Sequence, residues 1–301
     1  MDKSAQQVTV VGYDGSDPAR AALRCAARRA GAGVRLVVAH AADAPIEFLE
    51  SAYYEEVLQQ QRDRAATILE GAVADLDSGL AVETAVLSGP PARALVKLAH
   101  EVGAGEIAVG SRGFGSFRAA ALGSTSHALL HESDRPVLLI TRRGAQRELS
   151  RPAPTGDSGT ETIVTGYDGS VNARAALGYA VQRLGSGGSG HIVATYAYDA
   201  PPDWLGRPYY QRSLDEHQQH GRTLLDELEH EGPVGVELET ELIQGPPADA
   251  LVRVAHAHDA DEIVVGSRGL GRFRAALGSV SHELLHEADG PVVVVPGAGG
   301  A

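Results

Sequence analysis

Two short segments carry residue types and spacings suited to holding an anion. One is Gly12-Tyr13-Asp14-Gly15-Ser16; the other is Gly110-Ser111-Arg112-Gly113, followed after nine residues by Gly123-Ser124. Glycines let the backbone approach a polyphosphate, and free N–H groups at a helix starting at Gly123-Ser124 would point at its oxygens. The Asp14 carboxylate suits orienting a nucleoside or holding a magnesium ion on the phosphates. Arg112 suits either phosphate neutralisation or a surface ion pair. In one segment alone, the glycines serve equally well for tight turns between strand and helix, since isolated glycine patterns are weak signals.

Other chemistry finds less support. His282-Glu283-Leu284-Leu285-His286 matches the H-E-x-x-H zinc-protease pattern, which places two imidazoles on one helical face around a general base. A matching stretch, His127-Ala128-Leu129-Leu130-His131, lacks the glutamate, and no third ligand follows, so these histidines are expected on a helix surface. G-x-x-x-x-G-K-[ST] does not occur, which removes the main support for P-loop hydrolases. The pairs Tyr53-Tyr54 and Tyr209-Tyr210 are expected to pack the long helices they precede. Cys25, in an Ala/Arg-rich segment, is expected to pack as a small apolar residue. No nucleophile, acid and base pair or water-activating residue can be named, so efficient catalysis is not supported.

The elements that must position these residues occur twice. VVGYDGSDPARAAL (10–23) returns as VTGYDGSVNARAAL (164–177), a shift of 154; SGPPARALVKLAH (88–100) returns as QGPPADALVRVAH (244–256), a shift of 156. VGSRGFGSFRAA (109–120) returns as VGSRGLGRFRAA (265–276), and GSTSHALLHESDRPVLLI (123–140) as GSVSHELLHEADGPVVVV (278–295). Such self-similarity decides the architecture before any motif does. Between the copies, RRGAQRELSRPAPTGDSGTE (142–161) is rich in Pro, Gly, Ser and charge without an apolar period, which predicts a linker. The expected organisation is a first domain over 1–143, a linker over 144–160 and a second domain over 161–297.

Within a copy, short β-branched runs (VTVV, RLVVAH, AVETAVL, EIAVG, PVLLIT) alternate with four amphipathic segments. A βαβαβαβαβ order gives a parallel sheet with helices on both faces and right-handed crossovers. Ser16 with Pro18 just inside reads as a capped helix start. The third helix is expected to bury Ala92, Leu95, Val96, Ala99 and Val102. The last strands open at Pro136 and Pro291, which suits a strand start or an edge. Edges reading VLLI and VVVV need a partner, so the copies are expected to associate through them as a pseudo-two-fold dimer within the chain.

Composition narrows the class. The 301 residues are 43% hydrophobic, enough for two cored domains. Lys+Arg number 26 against 39 Asp+Glu, a net charge of −13 with no basic stripe, which disfavours nucleic acid. An acidic chain that binds an anion must use local donors, not its overall field. With a single cysteine and no apolar run long enough for a signal core or a membrane span, a cytoplasmic protein without a disulfide framework is expected.

The spacing Gly110-x2-Gly113-x9-Gly123-Ser124, preceded by Asp14 and by Gly89-Pro90-Pro91, resembles the ATP-binding branch of the universal stress protein family, over nearly the whole of both copies. That resemblance implies two tandem open α/β sheets, each parallel and five-stranded in order 3-2-1-4-5, Rossmann-like and similar to the adenine nucleotide α-hydrolases. It also puts Asp14 and Gly110 on adjacent central strands, at the switch point where such sheets bind ligands. Carried over, it sets Gly12, Asp14 and Ala41 around adenine and ribose, with Val109, Gly110, Arg112, Gly113, Gly123, Ser124 and Thr125 around ribose and phosphates. In the second copy the matching positions are Gly166, Asp168, Ala197, Val265, Gly266, Arg268, Gly269, Gly278, Ser279 and Val280. Only eight residues separate Gly269 from Gly278, so the second phosphate loop is one residue short and its N–H groups are expected to be less well placed.

The function implied is an ATP-binding regulatory module of the stress response, with Asp14 and Asp168 as candidate magnesium positions and cAMP or another adenine nucleotide as the alternative ligand. A protein partner and further homodimerisation fit the same picture. The competing expectations are a nucleotide-free interaction scaffold and a slow ATP hydrolase.

Overall fold

The computed structural model describes residues 7–30, 33–42, 51–74, 76, 79–111, 123–151, 160–185, 190–199, 207–232, 235–267 and 278–297. The chain divides into two compact units, Met1–Thr155 and Gly156–Ala301.

In the first unit β1 (Gln7–Gly12), α1 (Asp17–Arg29), β2 (Val34–Ala42), α2 (Ser51–Ala74), β3 (Ala81–Ser88), α3 (Pro91–Glu101), β4 (Glu106–Gly110), α4 (Ser124–Glu132) and β5 (Val137–Ile140) alternate as the sequence pattern predicts. The strands are parallel and lie in the order β3-β2-β1-β4-β5. Val10, Val11, Leu36, Val38, Ile107 and Ala108 are fully buried, as expected for strands covered on both faces. Helix α3 buries Ala92, Leu95, Leu98 and Ala99, so Leu98 takes the core position expected of Val96. Val96 and Val102 are half-buried.

The second unit repeats the plan with β6 (Glu161–Gly166), α6 (Val171–Gly185), β7 (Gly190–Tyr198), α7 (Arg207–His230), β8 (Glu237–Gln244), α8 (Pro247–Ala257), β9 (Glu262–Gly266), α9 (Ser279–Glu287) and β10 (Pro291–Val295), in the order β8-β7-β6-β9-β10. Both units are open, parallel α/β sheets of order 3-2-1-4-5, each numbered within its own copy.

One segment differs from its expectation. Residues 142–150, placed in the linker region, form helix α5 (Arg142–Ser150), which packs on α1 within the first unit. Thr141 caps it by accepting from the Gly144 N–H at 2.9 Å. Arg24 of α1 donates to the carbonyls of Leu149 and Arg151, and Arg28 pairs with the buried Glu148 at 3.0 Å. With only Gly144 and Ala145 as buried small residues beside Glu148, the contact is largely polar, which is why no apolar period betrays it.

Candidate functional site

The β1 register sets the frame. Gly12 pairs with Ala39 on one side and Val109 on the other, so the segments leaving β1 and β4 emerge side by side at the carboxyl edge of the sheet. The chain runs from β1 to β2 on one side while β4 lies on the other, which is the crevice where open α/β sheets hold ligands.

At that edge Asp14 closes a tight turn: its Oδ1 accepts the Ser16 N–H at 3.0 Å across Gly15, whose φ of +86° favours glycine. Ser16 then caps α1 by accepting from the Ala19 N–H at 3.4 Å. Asp168, Gly169 and Ser170 repeat the device, with distances of 3.0 and 3.1 Å. Ala41 lies two residues beyond the β1 partner Ala39, and Ala197 is a half-exposed residue between buried Tyr196 and Tyr198. Val109 and Val265 are buried, so their main chain, not their side chains, borders the edge.

The second loop leaves β4 at Ser111, whose N–H bonds to the Ile140 carbonyl at 2.8 Å. It returns at Gly123, whose N–H bonds back to the Ser111 carbonyl at 2.6 Å. Gly123 is the N-cap of α4 and supplies no side-chain acceptor. The first-turn amides at Ser124 and Thr125 therefore lack the side-chain cap that Ser16 gives α1, and they carry the positive end of the helix dipole. Such a donor set fits an anionic phosphate. Ser124 is exposed and Thr125 half-buried. Arg112 and Gly113, with Arg268 and Gly269, lie outside the described residues.

Ser126 stands in no motif, yet it joins the two ends of the loop. Its hydroxyl donates to the carbonyls of Ser111 at 2.8 Å and Gly123 at 3.0 Å, tying the two ends of the loop together. Ser281 does the same to Ser267 and Gly278, at 3.4 and 3.0 Å. The available signal was the repeat of serine three residues after each glycine. In the second unit the Gly278 N–H meets the Ser267 carbonyl at 2.8 Å, and α9 starts on an N-cap without a side-chain acceptor. The one-residue deletion thus leaves the two ends of the loop bracketed as in the first unit, with Ser279 exposed and Val280 half-buried on the first turn.

Gly110 and Gly12 also have a packing reason to lack a side chain. A Cβ on Gly110 would lie 2.7 Å from Pro18 C and 2.8 Å from Ala19 N, so the start of α1 fills that space. One on Gly12 would lie 2.8 Å from Leu95 Cδ1 and 2.9 Å from Val109 Cγ1. Gly266 and Gly166 meet Asn172 and Leu251 in the same manner. These glycines let helices seat close to the strand ends and so fix where the loops begin.

Helical histidines sit as expected. His127, His131, His282 and His286 are exposed, paired along their helices with ring centroids 4.6 and 4.9 Å apart, and among the described residues no third ligand joins His282 and His286. Cys25 is fully buried. Tyr209 departs from its expected packing role, being 68% exposed on the first turn of α7, while Tyr210 beside it is half-buried. The side chains of Tyr53 and Tyr54 lie outside the description. No helix among the described residues is long and apolar enough to cross a membrane.

Comparison with known proteins decides the family: the universal stress protein family profile matches residues 7–141 and again 159–296. The chain belongs to the universal stress protein family. A universal stress protein of Mycolicibacterium smegmatis is 30% identical, the alignment covering 98% of this chain and 99% of the relative. One from Thermus aquaticus is 36% identical over 45% of this chain and 98% of its own length, as expected for a relative of single-domain size. The crystal structure of an Archaeoglobus fulgidus universal stress protein covers 97% of each chain with a TM-score of 0.60 at 20% identity, a likeness of fold. This chain is accordingly a tandem universal stress protein, each copy carrying the same turn and the same uncapped helix start.

Proposed function

We propose that each unit binds one adenine nucleotide, ATP, at the carboxyl edge of its two central strands, and that the chain is a nucleotide-dependent regulatory module of the stress response. The observation that carries this reading is the contrast between two helix starts at one edge. Helix α1 is capped by its own serine, whereas α4 begins on glycine and, among the described residues, no side chain caps its first turn. A polyphosphate supplies the missing acceptors. Gly123, Ser124 and Thr125 would hold phosphate oxygens, with Arg112 and Gly113 from the same loop. Gly12, Asp14 and Ala41 would border the nucleoside, joined by the main chain of Val109 and Gly110. Gly278, Ser279, Val280, Arg268, Gly269, Gly166, Asp168, Ala197, Val265 and Gly266 hold the same places in the second unit. Magnesium would supply charge neutralisation on the phosphates, with Asp14 and Asp168 as the nearby carboxylates.

The outer strands β5 and β10 end in VLLI and VVVV, and their mutual pairing within the chain is part of this proposal, as is a partner protein that reads the nucleotide state in the cytoplasm. The test is to denature freshly purified protein, separate the released small molecules by anion exchange and count adenine nucleotide per chain. One nucleotide per unit is expected, with ATP prevailing over cAMP. No nucleotide, together with no calorimetric ATP binding in magnesium, would leave the chain an interaction scaffold and overturn the proposal. Turnover well above a buffer blank that disappears in Asp14→Ala would instead make it a hydrolase.

A further inference from the structure

At the amino-terminal edge of the second unit, opposite the nucleotide loops, a group of side chains has no role in the function above. His191 lies near the start of β7, Glu239 and Glu241 alternate along the adjoining strand β8, and His258 is the C-cap of α8. One ligand atom from each of His191, Glu239 and His258 lies within 4.8 Å of the other two. Glu239 Oε2 is 3.2 Å from His191 Nε2 and 4.0 Å from His258 Nδ1. Two ligands on a tetrahedral zinc ion with bonds of about 2.0–2.1 Å are about 3.3 Å apart, so small side-chain shifts bring the three donors to such an ion. Both imidazoles are largely buried, with side chains 18% and 21% exposed, while Glu239 faces solvent at 49%, leaving a side open for water.

The second imidazole nitrogen is also provided for. His258 Nε2 meets Glu241 Oε1 at 2.5 Å. A carboxylate accepting from one ring nitrogen fixes the tautomer and leaves the other nitrogen's lone pair for a metal, the arrangement typical around metal-bound histidines. Asp259, which follows, holds a φ of +48°, a left-handed turn that carries the chain away from the His258 C-cap at the end of α8.

The first unit shows what this place holds without the histidines. Arg35 and Glu83 occupy the positions of His191 and Glu239, and Arg35 Nη1 lies 2.7 and 2.8 Å from the two Glu83 oxygens. Val102 and Ala85 stand where His258 and Glu241 do. One copy thus fills the position with a guanidinium. The other replaces that cation with two imidazoles and adds a carboxylate, which leaves two glutamates facing no arginine or lysine within the group.

We propose that His191, Glu239 and His258 bind a divalent transition ion of the zinc class, with Glu241 orienting His258 and water completing the shell. Two nitrogens and one carboxylate oxygen favour such ions over magnesium or calcium. The proposal is independent of nucleotide binding.

The test uses the full chain stripped of metal and nucleotide, titrated with zinc against a chromophoric chelator and with cobalt to read the d–d bands of a low-symmetry site. One ion per chain is expected. His191→Arg, which copies the first unit's ion pair, should weaken binding by at least about 100-fold, and Glu241→Gln by about 10–100-fold. Should His191→Arg fail to fold, His258→Val, which copies Val102, carries the same expectation. The double variant His282→Gln/His286→Gln should bind like the parent. No saturable binding by the parent, or binding that survives His191→Arg and is lost in the His282/His286 double variant, overturns the proposal.

Discussion

One of the differences between the two copies lies on the second strand, beside the carboxyl edge of the sheet. Position 40 is histidine, with Nδ1 2.7 Å from the Tyr13 carbonyl oxygen, whereas its counterpart is Tyr196, buried against α7 and edge-on to His220. Burial chiefly, and the Asp168 carboxylate in addition, hold the Tyr196 phenol above its ordinary value of 10.0. The folded protein therefore keeps a proton that the unfolded chain loses. That stability is fully present below pH 10 and disappears as the pH rises through the folded value. Urea midpoints of the wild type should accordingly fall more steeply above pH 10 than those of Tyr196→Phe. Equal slopes would show that the phenol carries no linkage. The sequence displayed this tyrosine in a strand; only the fold set it near Asp168, just beyond the end of the adjoining strand β6.

At the scale of elements, the strand ends and helix starts are fitted to one another through glycine. A methyl group on Gly110 would meet main-chain atoms of Pro18 and Ala19 below 3 Å, which α1 can relieve only by moving away from β4. Gly110→Ala should destabilise the first unit by about 1–3 kcal/mol, the usual cost of overpacking. It should also shift the Asp14 turn, so lower nucleotide affinity is expected beside the lower urea midpoint. Helix α5 gives a second case. Glu148 is 3% exposed and pairs with Arg28, with Arg151 at 3.8 Å. Glu148→Ala leaves those guanidiniums without their shared carboxylate and should cost about 2 kcal/mol, read as a lower urea midpoint of the first unit, while Ser150→Ala at the exposed end of the helix should change little. The alternation of β-branched runs with amphipathic stretches made the architecture of the described residues legible except here. A polar helix held by arginine to a neighbouring helix has no periodic apolar face to read.

Over the whole molecule, the duplication supplies its own control. Each unit carries its own sheet, turn and uncapped helix start, so the sites should fill independently to first order. Asp14→Ala should lower the nucleotide count by the first unit's share, and Asp168→Ala by the second's. If both sites empty together, the units are coupled. The same comparison exposes the metal group: four positions that the first copy gives to arginine, glutamate, alanine and valine are histidine or glutamate in the second. Both were visible as letters, yet β7, β8 and the end of α8 are far apart in sequence, and no spacing motif announces ligands brought in from three elements.

The amino-acid sequence by itself determined the duplication, the alternating α/β order, the capped start at Ser16 and the glycine-serine helix starts at 123 and 278, because each of these depends on neighbours within a few residues. Tertiary structure alone decided why Gly12 and Gly110 lack side chains, that Ser126 and Ser281 fasten the ends of their loops, that α5 belongs to the first unit, and that His191, Glu239 and His258 converge. Those outcomes depend on which atoms of distant segments share a few ångströms of space, and packing, not local periodicity, settles that.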